Sequence, residues 1–494
     1  MTESAQATQG TAVRLAQRGA SRVASVTLGA KGAILVAFCV VLWTAVVAML
    51  AVRRHSAFLS HRFDLGNVTQ TVWSSAHGRL LDMTLGTGEQ APRLASHVDP
   101  ALLLFVPLWW IHADPATLIV AQALALAAGV YPVLRLAAKY VQSQAAVALL
   151  GAWYLTFPWL LWNAFNDVHA VTLAIPLLLY AIWSLDEGRL GRFAVFGGLA
   201  LLTGELVGLT LAAIGVWYAV RYRQRLVGLA IALTSAAWTA TCLLLIIPAF
   251  NDGPNRFYNR FESVGGSPSG LLETLFTDPG ALWAAATTQA DISYVILLLL
   301  PTAFVALGEP LLLAAIAPQL GLNVLSDFWS TTQPMFQYVA PLLPPLFVAS
   351  ILAVARVPGR GRVAVAGAMI GASLACLAAK PPIPGEQDFL FAHAEPAGRT
   401  AAMRDAIDLV PANAPVTSTN RLGAHLSERR TIYLFPERAE ATWAVLDTRD
   451  PWLQVGGEQV DEALFNRLLV RFERDPRWRK VFDRADVRVY RKAP

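Results

Sequence analysis

The sequence predicts an α-helical polytopic membrane protein that ends in a water-soluble α/β domain. Composition, charge distribution and the spacing of apolar runs predict this class. Of the 494 residues, 55% are hydrophobic and only 15% are charged, whereas soluble domains carry about 25% charged residues. Residues 385–494 hold 17 basic and 17 acidic side chains, and the first 384 residues hold 22 and 17. The two regions are therefore expected in different solvents, lipid and water.

Several function classes are disfavoured by the sequence. The net charge of +5 comes from the apolar region, so it reflects membrane loops and gives no argument for nucleic acid. Cys39, Cys242 and Cys376 each lie inside an apolar run, which predicts neither a disulfide framework nor a thiolate metal site. The sequence contains no Walker loop, G-x-S-x-G elbow, H-E-x-x-H or haem motif, which disfavours ATP-driven transport and the common hydrolases.

Apolar runs recur at the length of about 20 residues that a helix needs to cross a bilayer. They lie at residues 33–52, 116–134, 144–163, 170–185, 226–249, 292–307, 337–355 and 363–379, with a shorter run at 310–322. Glu205 interrupts a further apolar segment, 193–219. If every short basic loop faces the cytoplasm, this segment is a hairpin of two short helices, and one continuous span is the alternative. The hairpin gives about eleven crossings.

This count predicts three regions in a multi-pass protein of the plasma (inner) membrane. Residues 1–30 are expected to form a disordered cytoplasmic tail, 31–384 the transmembrane domain and 385–494 an extracytoplasmic α/β domain. In the last region, helices are predicted at 399–409 and 460–473. Strands are predicted at Val416–Thr419, Thr431–Phe435, Thr442–Asp447 and Val487–Tyr490.

Asp64 is the candidate catalytic residue. It stands between apolar residues just after the first predicted span, near the expected outer membrane surface. A carboxylate in a partly dry cleft is a candidate general base, because desolvation raises its pKa toward neutrality. The alternative is that Asp64 caps the helix predicted from Leu65 to Ala76.

The polar turn at Asn163–His169 is a candidate binding site. Its Asp167 and His169, two residues apart, could bind a phosphate or coordinate a divalent cation, Mg²⁺ or Mn²⁺. A solvated turn with an N-cap aspartate is the alternative. Glu205 must be paired or neutral if it is buried, and its expected partner is His169 or an arginine from another loop.

Further candidates for substrate or phosphate binding lie in the later loops. Arg256 and Arg260 flank Tyr258 and could hold a phosphate, and a solvated basic loop is the alternative. Polar side chains between residues 319 and 338 would suit sugar hydroxyls, although a hydrated loop explains them equally well. The candidates in this stretch are Gln333, Gln337 and Tyr338, and His97 is added from the first long loop.

Taken together, these segments resemble a family of bacterial polytopic membrane proteins of unknown function that is grouped with the GT-C superfamily of glycosyltransferases. The resemblance covers most of the chain from about residue 55 onward, and the order of its short motifs is specific. The motifs are Phe63-Asp64-Leu65-Gly66 with Trp73 and His77-Gly78-Arg79, Ser96–Pro100, Asp167-Val168-His169, Glu205, Gln333–Tyr338 with Pro341 and Pro344, His425-Leu426-Ser427 and Ile432–Pro436. The sequence departs from the family pattern beside Glu205, at Val168 and Ala170, and at Gln337.

The resemblance implies a GT-C-like transmembrane fold and lipid-linked sugar chemistry. Enzymes of that class use a polyprenyl-phosphate sugar, with an acidic residue in the first external loop near the acceptor, and Asp64 matches that position. The leading hypothesis is an inverting extracytoplasmic glycosyltransferase, whose partners are the sugar lipid, membrane lipids and a glycan, lipid or protein acceptor. A lipid or sugar transporter or flippase, and a non-catalytic membrane assembly protein, are the alternatives.

Overall fold

The computed structural model describes residues 30–251, 253, 255–379, 396–453 and 459–493. Apolar helices dominate the residues up to 379, and a mixed α/β arrangement follows from residue 396. The predicted tail, apart from Ala30, lies outside the described residues, as does the predicted boundary after residue 384.

The apolar region is built from α-helices joined by short 3₁₀ turns. The α-helices are Ala30–Ser56, Asn67–Ala76, Val106–Ile111, Pro115–Ala128, Val130–Tyr140, Gln144–Leu155, Pro158–Phe165, Ala174–Asp186, Leu190–Leu201, Val207–Arg221, Arg225–Thr241, Ile247–Asn251, Pro268–Thr277, Pro279–Ala286, Gln289–Leu299, Pro310–Leu313, Ala317–Val324, Leu343–Arg356 and Gly361–Ala379. Two π-helical turns occur, at Arg62–Gly66 and Cys242–Ile246. The 3₁₀ segments are Arg93–Ala95, Pro100–Phe105, Ala170–Leu173, Arg256–Val264, Leu300–Thr302, Val305–Gly308, Ala314–Ile316, Trp329–Thr332 and Gln337–Leu342.

Several of these helices are suited to a bilayer. Among the described residues, six helical stretches are long and apolar enough to cross a membrane: Gly32–Ser56, Pro115–Tyr140, Gln144–Phe165, Arg225–Asn251, Gln337–Arg356 and Gly361–Ala379. A bent pair, Pro279–Ala286 with Gln289–Thr302, is a seventh candidate. Shorter apolar helices at Ala170–Asp186, Leu190–Leu201, Val207–Arg221 and Pro310–Val324 correspond to the other predicted crossings. The chain is thus a multi-helix membrane protein, and the count of eleven stays a prediction.

The segment interrupted by Glu205 forms two helices. Leu211 packs against Gly197 and Leu201 against Gly208, so the two helices run antiparallel. The alternative of one continuous helix is therefore wrong, and the interruption falls at Glu205 as the sequence predicts.

The C-terminal α/β region, residues 396–453 and 459–493, contains a five-stranded sheet. The spatial order is Ile432–Leu434, Val416–Ser418, Trp443–Asp447, Val487–Lys492 and Trp478–Arg484. The first three strands are mutually parallel, and Val487–Lys492 is antiparallel to both of its neighbours. Helix Ala397–Asp408 packs on one face of the sheet and Glu462–Glu473 on the other, and the short helix Asn420–Ala424 follows strand Val416–Ser418.

The sequence predicts four of the five strands in that sheet. The fifth, Trp478–Arg484, is an edge strand rich in charge and carries a bulge between Lys480 and Phe482, so it lacks a clear apolar alternation. Two small hairpins were also missed, Asp82–Thr84 with Gln90–Pro92 and Trp452–Leu453 with Gln459–Val460.

Buried polar contacts join the C-terminal α/β region to the first loop, residues 57–99. Arg62 Nη2 donates to the main-chain oxygens of Thr84 and Ile432, at 3.2 Å each. Gln70 is fully buried, and its Nε2 donates to the main-chain oxygen of Arg430 at 2.8 Å. These donors satisfy main-chain oxygens that would otherwise be buried without a partner, so the two regions are held in one orientation.

We expect Gln70→Leu to destabilise this junction. The substitution keeps the side-chain volume but leaves buried main-chain oxygens without a donor, at about 1–3 kcal/mol for each orphaned group. The thermal midpoint of the purified protein in detergent should fall, and limited proteolysis should release the C-terminal region sooner. Gln224→Leu, at an exposed glutamine, is the matched control. Equal midpoints for both variants and the wild type would contradict the assignment.

Candidate active site

A cavity of about 680 Å³ lies between the helical region, the first loop and the C-terminal α/β region. It brings together residues that are more than 270 positions apart in the sequence. Seven of the predicted site residues line it: Asp64, His97, His169, Glu205, Arg260, Gln337 and Tyr338.

Asp64 lies in the π-helical turn Arg62–Gly66 at the entrance of the first loop. π-Helical turns are rare in proteins, and those that occur are often found at functional sites. The carboxylate makes no capping hydrogen bond to the helix that follows, so the capping alternative is wrong. Its Oδ1 lies 3.1 Å from His169 Nε2 instead. Gly66 in the same turn is required for packing, because a Cβ there would stand 2.6 Å from Ser427 Oγ.

His169 holds the Asp64 carboxylate from the facing turn. A carboxylate that is ionised only accepts hydrogen bonds, so an imidazole with its proton on Nε2 would donate to Asp64 in this geometry. The main-chain N–H of His169 donates to Gln122 Oε1 at 3.1 Å, and Gln122 Nε2 donates to the main-chain oxygen of Asp167 at 2.9 Å. The turn that carries His169 is therefore fixed by a buried glutamine of the neighbouring helix.

Asp167 lies behind the cavity wall and does not line the cavity. It adopts φ +54°, a left-handed conformation that aspartate tolerates, which turns its side chain toward the first helix. Its Oδ1 is 2.5 Å from Arg54 Nη1, and its Oδ2 accepts the main-chain N–H of His61 at 2.9 Å. Burial alone raises the pKa of Asp167, but Arg54 and His61 outweigh it and hold that pKa well below its usual range. The N-cap alternative for Asp167 is wrong, and its predicted role in phosphate binding stays a prediction.

Three side chains beside the cavity offer a set of metal-ligand atoms. His61, Asp64 and Asp167 each present one such atom, and these atoms lie within 4.8 Å of one another. His61 Nδ1 is 3.4 Å from Asp167 Oδ2 and 3.9 Å from Asp64 Oδ2. The sequence predicts Asp167 and His169 as ligands, whereas the geometry groups Asp167 with His61 and leaves His169 as a partner of Asp64.

Glu205 pairs with His97, which differs from the expected partners. His97 Nδ1 lies 3.3 Å from Glu205 Oε1, and the main-chain N–H of Val98 donates to Oε2 at 3.1 Å. The His97 ring also stacks on Phe257, with ring centroids 4.8 Å apart. The cavity thus contains a second carboxylate–imidazole pair, distinct from Asp64 and His169.

Arg260 supplies the cationic part of the cavity wall. Its guanidinium stacks on Phe257 and Phe328, with the guanidinium carbon 4.4 and 4.1 Å from the ring centroids. Its Nη1 donates to the Tyr338 hydroxyl at 3.1 Å. The side chain of Arg256 lies outside the described part of the structure, and Gln333 is not among the lining residues.

Most of the residues that line the cavity were not predicted as site residues, and three of them illustrate why. Gln319 was noted only as part of a polar stretch, and Asn420 and Trp452 come from the C-terminal α/β region. Asn420 Oδ1 accepts the main-chain N–H of Phe63 at 3.1 Å, and Trp452 contacts the Phe63 ring at a centroid distance of 5.4 Å. The motif Thr419-Asn420, after a predicted strand, was the available signal for the first of these contacts.

Comparisons with known proteins bear on this arrangement. None of the curated proteins compared with the chain matches it. Among solved structures, ArnT from Cupriavidus metallidurans bound to undecaprenyl phosphate is similar at a TM-score of 0.48 and 12% sequence identity, over 91% of this chain and 97% of that chain. A family described as "Predicted membrane protein (DUF2079)" matches residues 54–471, which include every cavity residue named above. As the ordered motifs predict, the chain belongs to this family of membrane proteins.

Proposed function

We propose that the chain is a GT-C-type glycosyltransferase that moves a sugar from a polyprenyl-phosphate carrier to an acceptor hydroxyl. The observation that carries the proposal is the Asp64–His169 pair, which opens on a cavity that also contains Arg260. The ordered motifs that resemble the GT-C superfamily support the same class. In this proposal the cavity faces the extracytoplasmic side of the cell membrane.

Asp64 is the proposed general base. Its side chain is 30% exposed, so an acceptor hydroxyl can reach it. His169 donates to Oδ1 and fixes the plane of the carboxylate, which leaves Oδ2 to take the proton of the acceptor. The carboxylate is not engaged in capping its own helix, so it is available for this step.

Arg260 and His97 are the proposed partners of the phosphate. The guanidinium of Arg260 stays charged and presents donors in a planar fork, which suits phosphate oxygens. A protonated imidazole at His97 would donate from Nδ1 to Glu205 and from Nε2 to a phosphate oxygen. Both groups would stabilise the negative charge that appears on the phosphate as the glycosidic bond breaks.

The proposed reaction is a single displacement. The acceptor oxygen forms a bond to the anomeric carbon while its proton passes to Asp64 Oδ2. The bond between the anomeric carbon and the phosphate oxygen breaks, and its electron pair stays on the polyprenyl phosphate. Attack opposite the leaving group inverts the anomeric configuration.

An exposed apolar surface adjoins the proposed phosphate site. The segment that carries Arg260 leads into two short helices, Pro268–Thr277 and Pro279–Ala286, which bury no side chain. Phe276 is 82% exposed and Trp283 73% exposed. Such a surface suits lipid chains, so the polyprenyl tail can stay in the bilayer while its phosphate reaches Arg260.

We expect Asp64→Asn to abolish most of the sugar transfer. The amide keeps the shape and the hydrogen bond from His169 but cannot take the acceptor proton, so kcat should fall by about 10²- to 10⁴-fold. The measurement is transfer from a polyprenyl-phosphate sugar by the purified protein. Glu89→Gln, an exposed carboxylate of the same loop outside the cavity, is the control. Full activity in a folded Asp64→Asn protein would remove Asp64 from the mechanism.

A divalent cation is the one cofactor we consider. Two carboxylates and an imidazole, from Asp64, Asp167 and His61, form a donor set that Mn²⁺ accepts more readily than Mg²⁺, which prefers oxygen. A cation held by these residues would lie on the acceptor side with Asp64, where it would supply positive charge that helps to ionise the acceptor hydroxyl.

If the cation is required, chelation by EDTA should reduce transfer, and Mn²⁺ should restore it better than Mg²⁺. His61→Ala should raise the Mn²⁺ concentration needed for half-maximal activity. Transfer that is unchanged after exhaustive chelation would exclude the cation and leave Asp64 as the group that activates the acceptor hydroxyl.

A further inference from the structure

A buried acceptor atom in the cavity wall has no hydrogen-bond partner among the residues that the structure describes. Gln319 lies on helix Ala317–Val324, is only 4% exposed and lines the cavity. Its Oε1 accepts no hydrogen bond from any of the described residues. Buried polar atoms without a partner are rare in folded proteins, so this one calls for a ligand or a water molecule that donates to it.

The surrounding hydrogen bonds fix which end of the Gln319 amide is left over. Asn323 Nδ2 donates to the main-chain oxygen of Tyr338 at 3.2 Å and to the Tyr294 hydroxyl oxygen at 3.0 Å. A main-chain oxygen only accepts, so the Asn323 amide cannot be reversed. Its Oδ1 therefore accepts from Gln319 Nε2, at 2.9 Å. Reversal of Gln319 would place two acceptors in contact, so its carbonyl oxygen is the atom left without a partner.

An acceptor at this position selects groups that donate. An ionised phosphate and a hydrocarbon chain carry no hydrogen-bond donor, whereas a sugar hydroxyl or amino group does. Gln337 Oε1, in the same cavity wall, likewise has no partner within the described part of the chain. The two glutamines thus offer hydrogen-bond acceptors to a ligand, whereas Arg260 offers a positively charged donor.

Tyr338 links the acceptor of Gln319 to the cation of Arg260 through hydrogen bonds. Its main-chain oxygen accepts from Asn323, and its hydroxyl accepts from Arg260. The acceptor of Gln319 and the cation of Arg260 therefore belong to one hydrogen-bonded unit, at a fixed separation. A ligand that carries both a hydrogen-bond donor and an anion fits such a unit, and a sugar phosphate is a ligand of that kind.

We propose that Gln319 is a specificity-determining residue whose Oε1 accepts a hydrogen bond from a hydroxyl or amino group of the transferred sugar. The proposal rests on the proposed function and deepens it, because it assigns the sugar and the phosphate of the donor to different side chains. In this assignment Gln319 recognises the sugar, and Arg260 binds the phosphate.

The test compares binding of bare and sugar-bearing lipid phosphates to the full-length protein. Radiolabelled undecaprenyl phosphate is displaced by unlabelled undecaprenyl phosphate and by its phospho-glucose, -galactose, -mannose and -glucosamine forms. In the wild type, at least one sugar form should bind roughly tenfold more tightly than the bare lipid, ~1.4 kcal/mol. In Gln319→Met, which keeps the length and removes the acceptor, this advantage should vanish while bare-lipid binding is kept. Gln224→Met is the matched control at an exposed site.

A double-mutant cycle separates recognition from misfolding. One monodeoxy analogue of the preferred sugar lipid should bind the wild type as weakly as the parent sugar lipid binds Gln319→Met. The affinity of this analogue for Gln319→Met should equal its affinity for the wild type. Failure of the wild type to bind undecaprenyl phosphate would overturn the proposed function as well. Normal lipid binding with no sugar advantage, or with an advantage that Gln319→Met retains, would overturn the role of Gln319 alone.

Discussion

The position of the candidate site depends on how one buried carboxylate is neutralised. Asp167 is removed from water, and an isolated charge in such a place is strongly unfavourable. Arg54 at the end of the first helix and the main-chain N–H of His61 supply the compensation. The requirement therefore ties the first helix and the start of the first loop to the turn after Phe165. Asp64 and His169, which flank these contacts in the sequence, face each other as a result.

The C-terminal α/β region completes this arrangement. Buried Arg62, two residues before Asp64 in the sequence, donates to the main-chain oxygen of Ile432. Asn420 accepts a hydrogen bond from the main-chain N–H of Phe63. The π-helical turn that carries Asp64 is thus fixed on both sides, by the helical region and by the α/β region. Trp452 adds an aromatic surface to the same cavity. The α/β region is therefore part of the site, and its contacts explain why a glycine is needed at position 66.

Much of the fold follows from local sequence patterns. Hydropathy and the break at Glu205 predict the helices, and alternation predicts the inner strands from Val416 to Asp447. The edge strand Trp478–Arg484 was not predicted, because most of its exposed side chains are charged. The number of crossings is not set by hydropathy alone, since helices such as Leu190–Leu201 are too short to qualify by length.

Several residues of the candidate site were predicted from the sequence, but their pairings were not. Asp64, His169 and Glu205 are ionisable groups close to apolar segments, and Arg260 was noted as part of a basic loop. Their partners depend on tertiary contacts between residues 78 to 108 positions apart, which is why His97 was not predicted as the partner of Glu205. The free end of Gln319 follows only from the hydrogen bonds of Asn323, which sequence patterns do not contain.

The proposed function requires that the cavity bind the phosphate of a lipid-linked sugar near Arg260, with the sugar between that phosphate and Asp64. An experimental structure of the full chain with undecaprenyl phosphate tests it most directly. The account predicts phosphate density within hydrogen-bond distance of Arg260 and His97, with the lipid tail along the exposed helices Pro268–Thr277 and Pro279–Ala286. Lipid phosphate bound away from the cavity, with Arg260 and His97 uninvolved, would contradict it.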